Sequence, residues 1–181
     1  VRQALQRSPN NRRLVAYLGQ SYRAADKPIH ERKFDPGSRV GLGWVMPRRK
    51  TVNDAKTVMS DVNFWKTNLH DQLAIRIGHP GAVTFYDGKH RMFSEHLTAE
   101  FAIETMGRGR TVMEWKLRPG CDNHFFDTTV GCLVLGSVLG LPVSKRASIT
   151  PGPNVPFKSL MPLNGLRMPL PSLKTLHLIL S

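Results

Sequence analysis

The stretch Asp122-Asn123-His124-Phe125-Phe126-Asp127-Thr128-Thr129-Val130-Gly131-Cys132-Leu133 places two carboxylates and an imidazole at the start of an apolar segment. Asp122 is positioned as the N-cap of a helix predicted over residues 123–139, because a short acidic side chain accepts hydrogen bonds from free backbone N–H groups. The apolar residues recur at helical spacing and form one stripe: Phe126, Val130, Leu133, Val134 and Val138. The stripe predicts a helix that packs one face into a core.

The polar residues of this helix suggest a metal site. His124 and Asp127 are three residues apart, so both project from one face of the first turn. Gly131, one turn later, is expected to leave open space beside the Asp127 carboxylate. A carboxylate at the rim of a core helix, with a second ligand one turn away, can hold a hard divalent cation against a phosphate. The alternative is a capped helix with a solvated aspartate and a surface histidine, and spacing alone leaves both open.

Strands and helices alternate along residues 1–140. Periodicity and turn residues predict helices at 2–7, 64–77, 91–97 and 123–139, and strands at 13–18, 44–46, 57–62 and 82–86. A hairpin is predicted at 101–105 and 111–117, around Gly107-Arg108-Gly109. Residues 20–43 are basic and rich in Gly and Pro, which indicates an irregular loop. This order of elements indicates an α/β layered domain.

The charge is distributed unevenly along the chain. The net charge is +9 for residues 1–50, −1 for residues 51–140 and +5 for residues 141–181, within a total of +13. A basic flank beside an acid-bearing core suits a nuclease, because cations hold phosphates and carboxylates hold metal ions. A basic solvated surface without a specific partner is the alternative, and the charge favours contact with nucleic acid.

The last part of the chain differs from the rest. Residues 141–181 contain seven of the thirteen prolines and no acidic residue. Such a composition does not support regular elements, so we predict a Pro-rich, largely disordered tail. The two cysteines, Cys121 and Cys132, lack the paired spacing of a zinc site and are expected to stay reduced. The sequence contains no apolar run of about 18 residues and no signal peptide, so no membrane contact is expected.

Several short motifs resemble one known family. They are Leu97-Thr98-Ala99-Glu100, the Gly107–Arg110 hairpin tip, Trp115, the 122–127 turn, and Asp61-Val62-Asn63-Phe64-Trp65-Lys66 at the start of a helix. In order and spacing they resemble the C-terminal end of the large terminase subunit of tailed bacteriophages, the lambda-type packaging family. The resemblance covers residues 12–140. It implies a ribonuclease-H-like endonuclease that cuts concatemeric phage DNA.

The resemblance also implies a metal site. In that family, three acidic residues hold two Mg²⁺ or Mn²⁺ ions, and Asp127 matches the third acid, on the final helix. His124 matches a position that adds a ligand or positions water in some relatives. The first two acids would lie before Val1, so the resemblance implies a nuclease domain over residues 1–140 that is incomplete at its N-terminus. The ATPase motif GxxxxGK[ST] does not occur in the sequence.

Several further residues have two alternative roles, one in a catalytic or binding site and one as a helix cap or solvent-exposed side chain. Asp61 closes an apolar strand, so it is either a third catalytic candidate beside Asp127 and His124 or a helix cap. Lys66 is either a phosphate contact or a solvated helix lysine. Other basic residues are candidate nucleic-acid contacts, with solubility as the alternative at the hairpin tip; they are Arg12, Arg13, Arg108 and Arg110.

The expected partners follow from the resemblance. They are double-stranded DNA, the terminase small subunit and the portal, in the cytoplasm of a bacterial host. With one assigned acid of three, the chain alone is expected to be inactive as a nuclease. The alternative function is a catalytically silent, prophage-derived remnant that binds nucleic acid or docks on the portal.

Overall fold

A computed structural model describes residues 2–11, 13–51 and 54–143. Arg12 and residues 144–181, which include almost all of the predicted tail, lie outside the described residues. The elements, in chain order, are α1 (Arg2–Arg7), β1 (Ala16–Gln20), a 3₁₀ turn (Ile29–Glu31), β2 (Arg39–Gly41), β3 (Trp44–Met46), β4 (Thr57–Asp61), α2 (Val62–Ala74), α3 (Arg91–Leu97), β5 (Glu100–Gly107), β6 (Arg110–Leu117) and α4 (His124–Val138).

The first four strands form one mixed sheet in the order β1-β4-β3-β2. β1 runs parallel to β4, with Ala16 opposite Thr57 and Gln20 opposite Asp61. β3 is antiparallel to both β4 and β2. β5 and β6 pair only with each other, as the predicted antiparallel hairpin. The α/β class is therefore confirmed.

The two faces of the sheet are covered differently. Trp44 and Val45 are consecutive strand residues, so they point to opposite faces. Trp44 joins the main core, which α2 and α4 supply with buried side chains that include Trp65, Leu69 and Phe126. Val45 instead packs with Tyr22 and Ile29 from the segment between β1 and β2, and all three are at most 4% exposed.

Residues 20–43 are more ordered than their composition predicts. The segment contains the 3₁₀ turn and strand β2, and Tyr22 and Ile29 anchor it to the sheet. The prediction of an irregular loop therefore holds for most of the segment, but it missed the 3₁₀ turn and strand β2. Its apolar residues are few, but the open face of the sheet gives them a surface on which to pack.

Residues 82–86 do not form the predicted strand. The described chain gives them no strand partner, and the backbone N–H of Val83 instead donates to Gln72 O at the end of α2. The ring of Phe85 lies 4.9 Å from that of Phe93 on α3. The segment thus contacts the end of α2 and helix α3 instead of pairing as a strand.

In the described ranges, no helix is both long enough and apolar enough to cross a membrane.

Candidate acid–lysine site

Asp127 contacts a lysine from a neighbouring helix. Lys66 Nζ, on α2, lies 2.9 Å from Asp127 Oδ1 on α4. The same ammonium lies 2.5 Å from Oε1 of Glu100, the first residue of β5. Three separate elements therefore bring one cation and two carboxylates together.

An amide closes the group on its other side. Asn123 Nδ2 donates to Glu100 Oε1 at 2.5 Å and to Asp127 Oδ2 at 3.0 Å. The two carboxylates are thus joined twice, once through the ammonium and once through the amide. We call Lys66, Glu100, Asn123 and Asp127 the acid–lysine cluster.

The cluster is buried at one end and open at the other. The side chain of Glu100 is 3% exposed and that of Lys66 is 9% exposed, whereas that of Asp127 is 49% exposed. Lys66 Nζ lies 5.2 Å from the centre of the Phe126 ring, which is fully buried in the core. Asp127 is therefore the group through which the cluster meets solvent or a ligand.

The Tyr17 ring of β1 borders the space beside Gly131. A Cβ at Gly131 would lie 3.7 Å from this ring, an ordinary van der Waals contact, so the space there fits a methyl group and is not open as predicted. Burial raises the pKa of the Tyr17 phenol, and the charge of Asp127 raises it as well, although a hydrogen bond with Ser60 opposes the shift. The phenol therefore stays neutral beside the carboxylate.

His124 does not join the cluster in the described structure. Its Nε2 lies 3.8 Å from Asp122 Oδ1, and its ring centre lies 5.9 Å from that of His96. Both His124 and Asp122 are exposed.

The predicted N-cap is wrong, because α4 begins after Asn123, whose side chain bonds within the cluster instead of capping the helix. The helix begins one residue later than it would with Asp122 as its N-cap.

Asp61 acts as a helix cap. Its Oδ1 accepts from the N–H groups of Asn63, at 3.1 Å, and Phe64, at 3.3 Å. Burial raises the pKa of the Asp61 carboxyl, and these two hydrogen bonds oppose the rise. Asp61 and Arg110 both line a cavity of about 680 Å³ that none of the cluster residues lines. Capping is confirmed, and a catalytic role for Asp61 stays a prediction.

Removing this cap should weaken α2. Asp61→Ala is expected to lower the free energy of unfolding by about 1 kcal/mol, because two N–H groups lose their acceptor, whereas Asp61→Asn keeps an acceptor oxygen and should cost less. Urea unfolding followed by circular dichroism measures both. Asp87→Ala, at an exposed position, is the control. Equal stability of Asp61→Ala and the control would contradict the capping role.

The predicted nucleic-acid contacts differ in their surroundings. Arg110 Nη2 donates to the backbone carbonyls of Arg23, Ala24 and Asp26, so it holds the hairpin against the segment after β1. Arg108 is exposed at the hairpin tip with a φ of 50°. Arg13 is exposed, and Arg12 lies outside the described residues.

Lys66 is buried and paired, so it is not the solvated helix lysine that the sequence allowed. Contact with DNA stays a prediction for all five.

The cluster does not fit a two-metal site. Within the described residues, no group of three or more His, Cys, Asp or Glu side chains is placed to hold a metal ion. A two-metal site needs enough oxygen ligands to hold two ions about 3.5–4 Å apart. Here only two carboxylates converge, and their facing oxygens are occupied by the ammonium of Lys66 and the amide of Asn123.

Glu100 and Asn123 were not among the predicted site residues. Both lie in short sequence motifs, Glu100 at the end of Leu97–Glu100 and Asn123 in the 122–127 turn. A signal existed for Glu100, since an acidic residue that begins an otherwise half-buried strand needs a partner. Its partner is 34 residues away along the chain, and spacing alone does not identify it.

Comparison with known proteins gives one match. A family model of the endonuclease domain of terminase large subunit gpA matches residues 4–147, most of the chain. No curated protein and no solved structure matches.

Proposed function

Because the chain belongs to the family of terminase large subunit gpA endonuclease domains, which serve bacteriophage DNA packaging, we propose that it binds duplex DNA with the acid–lysine cluster beside the phosphate backbone. One observation carries this proposal. Three of the segments that resemble the family each contribute one charged residue to the cluster, namely Lys66, Glu100 and Asp127. Local structure does not explain why three segments so far apart along the chain contribute to one polar cluster, and this supports a common functional role.

The orientation of the DNA follows from exposure and charge. Asp127 is the exposed end of the cluster, so this end faces the backbone. Exposed basic residues supply the attraction to phosphates. We propose Arg12, Arg13 and Arg108 as contacts; Arg110 and Lys66 are less favoured, because their cationic groups already have partners within the protein.

A ribonuclease-H-like arrangement is part of the proposal. It is supported by the parallel pairing of β1 with β4 and by the helix that follows β4 directly. Docking on the small subunit and the portal is proposed from the family alone.

The two natural cysteines provide a test of DNA placement. Cys121 and Cys132 are both exposed and free. Cys121 lies two residues before Asn123, whereas Cys132 is five residues after Asp127 and therefore about 140° around α4 from it. Duplex DNA at low salt should slow alkylation of Cys121 by a maleimide several-fold and that of Cys132 much less, and high salt should abolish the difference. Equal rates with and without bound DNA, or stronger protection of Cys132, would contradict the placement.

The family suggests dependence on a divalent metal ion, and we propose Mg²⁺ or Mn²⁺ as that ion. Since the described residues do not fit a two-metal site, the chain alone should not nick supercoiled plasmid in Mn²⁺ faster than Asp127→Asn does. Agarose gels over a time course measure this.

Nicking by the unmodified chain that is lost in both Asp127→Asn and Asp61→Asn would contradict this expectation and would show a complete site that includes Asp61. Absence of nicking together with DNA binding is the expected result, and the alternative function, a catalytically silent protein that binds nucleic acid, predicts the same outcome. The paired state of Lys66 is the observation that favours this alternative.

A further inference from the structure

We infer that Lys66 occupies the position that a divalent cation would take between Glu100 and Asp127, so that the protein as it stands keeps such an ion out of the cluster. The inference concerns cation binding by the free protein, and it does not depend on how the protein binds DNA.

The ammonium of Lys66 occupies the space between the two carboxylates. The ammonium of Lys66 is within 2.9 Å of an oxygen from each carboxylate. Mg²⁺ and Ca²⁺ bind carboxylate oxygens at about 2.0–2.6 Å. An ion shared by Glu100 and Asp127 would therefore lie close to the point where Nζ now lies, and the two cations exclude each other by volume and by charge.

Lys66 has little freedom to leave the cluster. The whole residue is 7% exposed, and its ammonium lies over the buried Phe126 ring. Moving the ammonium elsewhere in the interior would leave a buried charge without a partner, which is strongly unfavourable. The lysine is thus a fixed part of the group rather than a mobile surface chain that a metal ion would displace easily.

The positive charge of Lys66 also opposes the binding of a divalent cation. With Lys66 present, the cluster carries two carboxylates and one ammonium; without it, it carries two carboxylates. Affinity for a divalent cation depends strongly on the number of charged oxygen ligands and on the rigidity of the site. Asn123 adds to the effect, because it presents its N–H group, which cannot ligate a metal, to both acids.

Lys66→Met tests the inference, because methionine keeps an unbranched apolar stem and lacks the ammonium. Titration with Mn²⁺, followed by calorimetry and by the loss of the free-ion resonance in electron paramagnetic resonance, should show binding at least about tenfold tighter in Lys66→Met than in the unmodified protein. Adding Asp127→Asn to Lys66→Met should remove the gain. Circular dichroism establishes that each variant is folded.

A matched control distinguishes the loss of a positive charge inside the cluster from the loss of a positive charge elsewhere on the protein. Lys116→Met removes the same charge from an exposed lysine that pairs with Glu114, outside the cluster, so it should leave Mn²⁺ binding unchanged. An equal gain in Lys116→Met, or no gain in a folded Lys66→Met, would overturn the inference.

A second measurement uses the unmodified protein and therefore holds even if Lys66→Met does not fold. If Lys66 keeps divalent ions out of the cluster, adding Mn²⁺ should raise the melting temperature of the unmodified protein no more than it raises that of Asp127→Asn. A rise that increases with Mn²⁺ concentration and is lost in Asp127→Asn would overturn the inference.

Discussion

Replacing Glu100 with alanine should lower the free energy of unfolding by about 3–5 kcal/mol, because it breaks a buried ion pair and leaves the other charge in the interior. The side chains of Glu100 and Lys66 are both less than a tenth exposed. Without Glu100, the ammonium retains only Asp127, which is half exposed, and the amide of Asn123 loses one of its two acceptors. Urea unfolding followed by circular dichroism measures the change.

The same strand offers a control. Glu104 lies four residues further along β5 and is exposed. Glu104→Ala should change the free energy of unfolding by no more than about 0.5 kcal/mol. The double variant Glu100→Leu with Lys66→Met should recover much of the loss, since apolar residues of similar volume can replace a buried ion pair. A Glu100→Ala variant that is as stable as Glu104→Ala would mean that the pair is not formed in solution.

The elements that the sequence predicted well are those fixed by local chemistry. The Gly107-Arg108-Gly109 turn is an example, since Gly109 has a φ of 70° and glycine adopts such values freely. Strand β3 and helix α3 have the predicted bounds because apolar and turn residues mark both of their ends. The predicted strand at 82–86 failed because strand formation needs a partner, and the partner depends on the rest of the fold.

The candidate site shows the same division between local and distant contacts. Asp127 and Lys66 each stand in a motif of their own, and nothing in the two motifs indicates that their side chains meet. Their contact, and that of Glu100 with Lys66, depends on how α2 packs against α4 and the hairpin. The pairing of His124 with Asp127 was predicted from helical spacing, and the structure instead directs His124 towards Asp122 and His96. Spacing on one helix gives direction only, whereas distant packing determines which partner a side chain meets.

The cluster and the basic surface have opposite effects on DNA. The cluster carries a net negative charge and faces outward through Asp127. Ten exposed Arg and Lys residues lie at positions 7–50, and they are half of the basic residues of the described chain. An anionic group beside a phosphate is unfavourable by itself, so the attraction has to come from the basic residues. Binding should therefore be electrostatic and should depend on salt more than on base sequence.

The affinity for duplex DNA should fall by about 10³–10⁵ between 50 and 200 mM salt, the loss expected when about 6–10 phosphates are contacted and their counterions are released. Fluorescence anisotropy with two unrelated duplexes of equal length should give the same affinity for both. Arg13→Ala should weaken binding to both duplexes equally and reduce the slope of log affinity against log salt by about one.

Arg110→Ala is the matched control for this experiment, because its guanidinium is bonded to backbone carbonyls. It should lower the stability of the fold and leave the salt slope unchanged at temperatures where the variant remains folded. Undetectable binding at low salt, or an affinity insensitive to salt, would contradict the electrostatic mode. If Arg13→Ala and Arg110→Ala reduced the slope equally, Arg110 would be a phosphate contact, and its bonds to the segment after β1 would have to open when DNA binds.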